Sequence, residues 1–456
     1  MNAKKINIWK ILFWFALAVL AVFFHSDHFL NGDEGVTLNG AWNLYNHRHL
    51  YFDFFSFLPP LSFYLIYWIW LILGVSFWSA KAFSIILLLA GAFGLFKISE
   101  HLRSHPINYF VPFLFILISS WWWIINHNFY HLVFSIWSCY FLLLFLENNT
   151  RRHCLAAALL ASASIATLQQ KGLLFALASF LIILFFNKRQ FGRRRFLAAA
   201  LYVLGVAAPL VLLLFFWPLS VLWQNLVIFP LFHYIEANRL PYYLLFLASI
   251  SWLLFAWPFR SYDYRRWALL ILSGVLIISC YPLPDYYHLS MALVLLLPML
   301  PDLLDKLNNP AGRCRRVLAI SGLTWLWLWP VSHFLAFFFF NFSFTKDYPF
   351  LDYIRRECPG QYLQVGPFLP NVYLETGKLS ATSFDILITG HQTAEQFAQA
   401  AAQLEVNQPV CAVTAYPASL SRFRHQLDNP VDNFIRANYQ PVFTEGSITV
   451  WKYRNQ

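Results

Sequence analysis

Charge is scarce in this sequence. Asp, Glu, Lys and Arg make up 12% of its 456 residues, against about a quarter of an ordinary globular domain. There is too little polar surface to clothe a soluble protein of this length. Acidic residues are the scarcer sign, 21 against 32 basic ones, which leaves a net charge of +11. The basic residues line no single face. They sit in short clusters between apolar runs, which argues against a nucleic-acid partner and suits segments facing the cytoplasm. A small-residue cleavage site is missing after the opening MNAKKINIWK and the apolar stretch 11–24, so this region reads as an uncleaved first span. The six cysteines lack metal-ligand spacing. Cys139, Cys154, Cys280 and Cys314 fall in or beside apolar runs as buried thiols. Cys358 and Cys411 lie in a more polar region, where an oxidising compartment would allow a disulfide without requiring one. Internal repeats and low-complexity tracts are absent as well.

What the sequence has in abundance is hydrophobicity, with 59% apolar and 20% aromatic residues. Runs long enough to cross hydrocarbon fall roughly at 9–26, 79–97, 108–126, 130–146, 155–169, 172–187, 196–217, 242–258, 267–281, 288–303 and 317–341, which predicts eleven crossings. Segments 1–10, 97–107, 147–153, 188–195, 259–266 and 302–316 carry 19 Lys and Arg. The opposite loops of the membrane region carry only Arg48, Lys81, Lys171 and Arg239. The first set is therefore expected in the cytoplasm, with the N-terminus. Between 28–58, outside, and 97–107, inside, the chain can cross once, yet two apolar runs lie there. The run after Pro59 and Pro60 is dense in Tyr and Trp and is expected to lie along the membrane surface.

After Phe342, Gly, Pro and charge return, so residues 1–342 read as a membrane domain and 343–456 as a small extracytoplasmic α/β domain. YPFLDYIRREC and TAEQFAQAAAQLE read as helices; QYLQVG, SFDILITG and PVCAVTA read as strands; PVFTEGSITVWKY reads as a terminal strand or hairpin.

Several polar residues stand out against the apolar background. Asp33 and Glu34 follow the first span directly, and a helix-like stretch leads to a turn bearing Tyr51, Asp53 and Pro59–Pro60. Lys171 sits between two closely spaced spans, where an ammonium needs either a partner or a route to water. Arg239 lies in an external loop, and His288 follows Asp285, Tyr286 and Tyr287. His127 and His131, at i and i+4, could share a metal, but no third ligand has suitable spacing. Cavity lining is the reading adopted for them, and no cofactor is expected, with a divalent metal left open. The WWW at 121–123 reads as an aromatic belt.

An acidic pair after the first span, a helix, then H-x-x-x-Y-x-D at 47–53 and PPL at 59–61 resembles the dolichyl-phosphate-mannose-protein mannosyltransferase-like glycosyltransferases. These comprise glycosyltransferase family 39 and bacterial relatives such as the lipid A aminoarabinose transferases. LQQKGLL at 168–174, EANRLPYYLLFL at 236–247 and PDYYHLSMALVLLLP at 284–298 extend the likeness over most of the membrane part. Gln170 stands where the family has Thr, and Asn128 or His131 where some relatives have an acidic residue. The resemblance implies the GT-C fold and metal-independent, inverting transfer from a polyprenyl-phosphate sugar to a lipid, glycan or protein acceptor outside the cell's inner (plasma) membrane. It makes Asp33 the base that takes the acceptor's proton. Glu34, Tyr51 and Asp53 fall to acceptor or substrate binding, with pairing to a cation as another role open to Glu34. Lys171, Arg239 and His288 fall to the donor phosphate. Two other readings remain: a non-catalytic lipid-linked-glycan transporter or assembly subunit, and a degenerate transferase serving as a scaffold.

Overall fold

The computed structural model describes residues 8–28, 30–186, 193–234, 263–302, 304, 335, 347–416 and 425–454. The expected spans at 242–258 and 317–341, and Arg239 with them, lie outside the described residues.

The chain begins with α1 (Ile8–His25), α2 (Gly32–Tyr45), α3 (Leu61–Leu73) and α4 (Phe77–Leu102). A 3-10 turn at Pro106–Tyr109 leads into α5 (Phe110–Ser119), then α6 (His127–Asn148), α7 (Arg151–Thr167), α8 (Gln169–Phe186) and α9 (Arg193–Leu212). After α10 (Leu219–Trp223) and two π-helical turns come α11 (Tyr264–Ile278) and α12 (Tyr286–Leu293), continued by a 3-10 stretch, Val294–Met299. Among the described residues, five helices are long and apolar enough to cross a membrane: α1, α4, α6, α8 and the helix Arg194–Phe215 that contains most of α9. The shorter helices pack among them. α6 lies against α7 and α4, α7 against α8 and α9, and α8 against α11, and together they bury one large apolar core. The chain is thus a polytopic α-helical membrane protein with a small sheet. α3 leaves Trp68, Leu71, Ile72 and Leu73 exposed.

The expected span 108–126 requires correction. Its helix stops at Ser119, and residues 120–126 leave helical geometry. Their polar groups are bound inside the protein instead: Trp122 Nε1 donates to Ser290 Oγ at 3.0 Å, and Ile125 N donates to Glu34 Oε1 at 3.2 Å. Irregular backbone is tolerated at membrane depth where protein satisfies it. Trp122, at 2% exposure, is consequently a core residue rather than part of an aromatic belt.

The C-terminal region contains α13 (Pro349–Glu357), β1 (Tyr362–Gly366), α14 (Asn371–Thr376), β2 (Leu379–Ser380), α15 (Ala394–Asn407), β3 (Cys411–Thr414), α16 (Pro430–Asn438), β4 (Tyr439–Glu445) and β5 (Ile448–Tyr453). Its strands form one sheet in the order β2-β1-β3-β5-β4. β1 is parallel to β2 and β3, while β5 is antiparallel to β3 and β4. A disulfide, Cys358–Cys411, ties the end of α13 to β3. SFDILITG forms no strand. Its backbone is taken up elsewhere, with Leu387 N donating to Pro367 O and Ile388 N to Gln392 Oε1.

Candidate functional site

The site is built at helix N-termini. Asn31 caps α2, its side chain accepting from the backbone N–H of Asp33 and Glu34. Asn126 caps α6, accepting from Asn128 N, and Asp285 caps α12, accepting from His288 N. Each capped first turn carries residues singled out in the sequence: Asp33 and Glu34, His127, and His288. Lys171 occupies the first turn of α8. Contacts join these turns. Lys171 Nζ donates to Asn128 Oδ1 at 2.9 Å, linking α8 to α6. Lys171 also lies within electrostatic reach of Asp285, and His127 within reach of both Lys171 and His288. Asp285 Oδ1 and His288 Nδ1 share a hydrogen bond of 2.6 Å. Tyr287 anchors its hydroxyl on Trp123 O at 2.9 Å and lies within electrostatic reach of Asp33, Glu34 and Asp285. Hydrogen bonds thus tie α8 to α6, and both Glu34 of α2 and Tyr287 of α12 to the segment before α6, while longer-range electrostatic interactions link Tyr287 with Asp33 and Lys171 with Asp285.

The acidic pair divides. Asp33 is half-buried. Glu34, at 1% exposure, turns inward and accepts from Lys81 Nζ at 3.1 Å. Lys81, itself 2% exposed, also reaches Asp27 at 3.5 Å. In the sequence Lys81 reads only as an external-loop cation. Its partnership with Glu34 spans 47 positions, and no local pattern announces it.

Tyr51 donates its hydroxyl to Leu58 O at 2.7 Å, and its ring packs edge-on to Trp217. The Asp53 carboxylate accepts from His49 N at 2.6 Å, while its carbonyl accepts from Arg48. Both therefore shape the loop between α2 and α3. His131 bonds Ser164 Oγ through Nδ1 at 2.6 Å, and among the described residues no three His, Cys, Asp or Glu side chains gather as a metal-holding group. Gln169, two residues before Lys171, donates to Phe57 O and Leu226 O, pinning the start of α8 to the first loop.

A cluster of carboxylate, ammonium, imidazole and phenol groups framed by helix N-termini is suited to binding an anion next to a proton acceptor.

No family model and no curated protein matches the sequence. Solved structures do share its fold. ArnT from Cupriavidus metallidurans in the apo state matches with TM-score 0.60 at 13% identity, over 98% of each chain. The same protein bound to undecaprenyl phosphate gives 0.60 at 12%. The oligosaccharyltransferase AglB from Archaeoglobus fulgidus, in complex with an inhibitory peptide and a dolichol-phosphate, matches with TM-score 0.56 at 12% identity, over 98% of this chain and 74% of its own. The arabinofuranosyltransferase AftD from Mycobacteria matches at 0.52 and 14%, over 98% of this chain and 40% of AftD. All three have the GT-C fold, and so does this chain.

Proposed function

We propose that this chain is a membrane glycosyltransferase that passes a sugar from a polyprenyl-phosphate donor to a hydroxyl of a lipid, glycan or protein acceptor. The observation that supports this reading is the set of hydrogen bonds tying the starts of α2, α6, α8 and α12 to one another and to the segment before α6, with Asp33 at the start of α2 and Lys171 at the start of α8. In the proposed step, Asp33 removes the acceptor's hydroxyl proton as that oxygen bonds to the anomeric carbon. The bond from that carbon to the phosphate oxygen breaks, and its electron pair leaves with the phosphate. Lys171, with His288 held by Asp285, meets the charge that the phosphate gains. Direct displacement inverts the anomeric centre. The undecaprenyl phosphate bound to ArnT and the dolichol-phosphate bound to AglB support a lipid phosphate as the ligand. The lysine- and arginine-rich loops support a cytoplasmic N-terminus. The Cys358–Cys411 disulfide supports an extracytoplasmic position for residues 343–456, outside a cell's inner (plasma) membrane.

The test is to incubate the purified protein with a panel of polyprenyl-phosphate sugars and follow binding, transfer and slow hydrolysis. Asp33→Asn, inserted normally, is expected to lose turnover by about 10² to 10⁴-fold, and unchanged turnover would remove Asp33 from its role. Lys171→Ala is expected to weaken undecaprenyl-phosphate binding by about tenfold or more. Equal affinity would show that the ammonium serves its own solvation.

A further inference from the structure

Helix α2 is held from two sides. Leu38 and Ala41 join the membrane core, and Glu34 pairs with Lys81 there. Gly35, Asn39, Trp42 and Asn43 recur at helical spacing on another face, and that face meets the C-terminal region. At Gly35 a Cβ would stand 2.7 Å from the backbone nitrogen of Asn371, so only glycine lets α2 approach the start of α14 this closely. Trp42 Nε1 donates to Lys378 O at 2.8 Å, and its ring packs against both the membrane core and the sheet core. Asn43 Nδ2 donates to Asp385 Oδ2 at 2.8 Å, and Arg48 Nη1 donates to Asn43 Oδ1 at 3.1 Å. A single amide is thereby clasped between a guanidinium and a carboxylate. On the other side of Asp33 in the chain, Leu30 N donates to the Tyr348 hydroxyl at 3.0 Å, and His28 pairs with Glu375 at 2.9 Å.

We infer that the Arg48–Asn43–Asp385 chain is a positioning device through which the C-terminal region fixes α2, and Asp33 with it, against the donor site. The inference rests on the reading of Asp33 as the base. Asp385 lies in a segment that forms no strand and is held by the contacts it makes. Its Oδ1 is shut away from solvent, and burial pushes its carboxyl up to about 7 against the pull of Arg48. An uncharged side chain with an oxygen in the same place therefore suits the clasp. Asp385→Asn keeps such an oxygen for Asn43, whereas Asp385→Ala leaves none.

The experiment uses the full-length protein and reads two quantities, amide hydrogen exchange over residues 32–45 and steady-state transfer. Asp385→Ala is expected to speed exchange in α2 while α6 and α8 stay unchanged. It should lower kcat about ten- to a hundredfold and leave the donor KM within about twofold. Asp385→Asn is expected to restore both the exchange and kcat. If Asp385→Ala fails to insert, Arg48→Gln serves instead, with the same loosening and the same split between kcat and KM. Unchanged exchange in α2, failure of Asp385→Asn to rescue, or faster exchange with full kcat would each overturn the positioning role. Loss of the catalytic reading shows separately, as an Asp33→Asn variant that keeps its turnover, and the exchange result stands whatever that variant does.

Discussion

Lys81 carries more electrostatic consequence than its sequence context suggests. One ammonium, almost free of water, faces two carboxylates, Glu34 at 3.1 Å and Asp27 at 3.5 Å. Glu34 spends its second interaction on Ile125 N, so the ion pair also fixes the irregular segment that leads into α6. Removing one member of a buried pair strands the other, at a cost of about 3 to 5 kcal/mol. Lys81→Met is therefore expected to lower the thermal unfolding midpoint sharply, and adding Glu34→Gln should recover much of the loss. If the single and double variants unfold alike, Glu34 is not stranded by losing Lys81. Sequence reading reached Glu34 and left open that it pairs with a cation. It could not name the cation, because the partnership depends on packing α2 against α4. Asp33 and Lys171 stand out in the sequence for the opposite reason: a charge beside or between apolar spans is conspicuous wherever its partners lie.

At the scale of elements, the site depends on how closely α7 and α8 approach. A Cβ at Gly172 would stand 2.5 Å from Ile165 N and 2.6 Å from Ile165 Cα, and backbone cannot rotate out of the way. Gly172→Ala must push the start of α8 off α7, and Lys171 is the neighbouring residue. Its bond to Asn128 should break or lengthen. Undecaprenyl-phosphate affinity is expected to fall about tenfold, measured by a binding isotherm against the unaltered protein. Equal affinity would mean that this close approach does not set the position of Lys171. Long apolar runs made the long helices among the described residues legible, since hydropathy is a property of the run itself. Two failures share one physical cause. SFDILITG alternates like a strand, and 108–126 reads as one span, yet in both places groups outside the segment claim its backbone: Pro367 and the Gln392 side chain in the first, Glu34 in the second. Periodicity reports what a segment would do alone, and these segments are not alone. The helix α14 and the short strand β2 went unread because six and two residues give periodicity too little to work on.

At the scale of the whole molecule, the contact between the membrane helices and the C-terminal region has a titratable group in it. The charged and titratable groups facing Asp385 are Arg48 and Tyr373, and the helix it meets offers the neutral Asn39 and Asn43. The Asp385 carboxyl sits at about 7 in the folded protein, against 3.8 for the free side chain. The undocked or unfolded chain gives up this proton near pH 4, whereas the docked form holds it until about pH 7. Its contribution to docking is consequently complete below about pH 4, declines as pH rises toward 7 and is level above that. The full difference is at most on the order of 4 kcal/mol. Unfolding midpoints of the wild type and of Asp385→Asn, measured from pH 4 to pH 9, isolate this group, because other titrations are common to both proteins and cancel in the difference. The wild type is expected to lose stability relative to the variant between pH 4 and 7 and to run parallel to it above. A difference that is flat across the whole range would show that the carboxyl titrates freely. In that case the carboxylate would be charged in the folded and unfolded chains alike above about pH 5, and the clasp would be insensitive to pH.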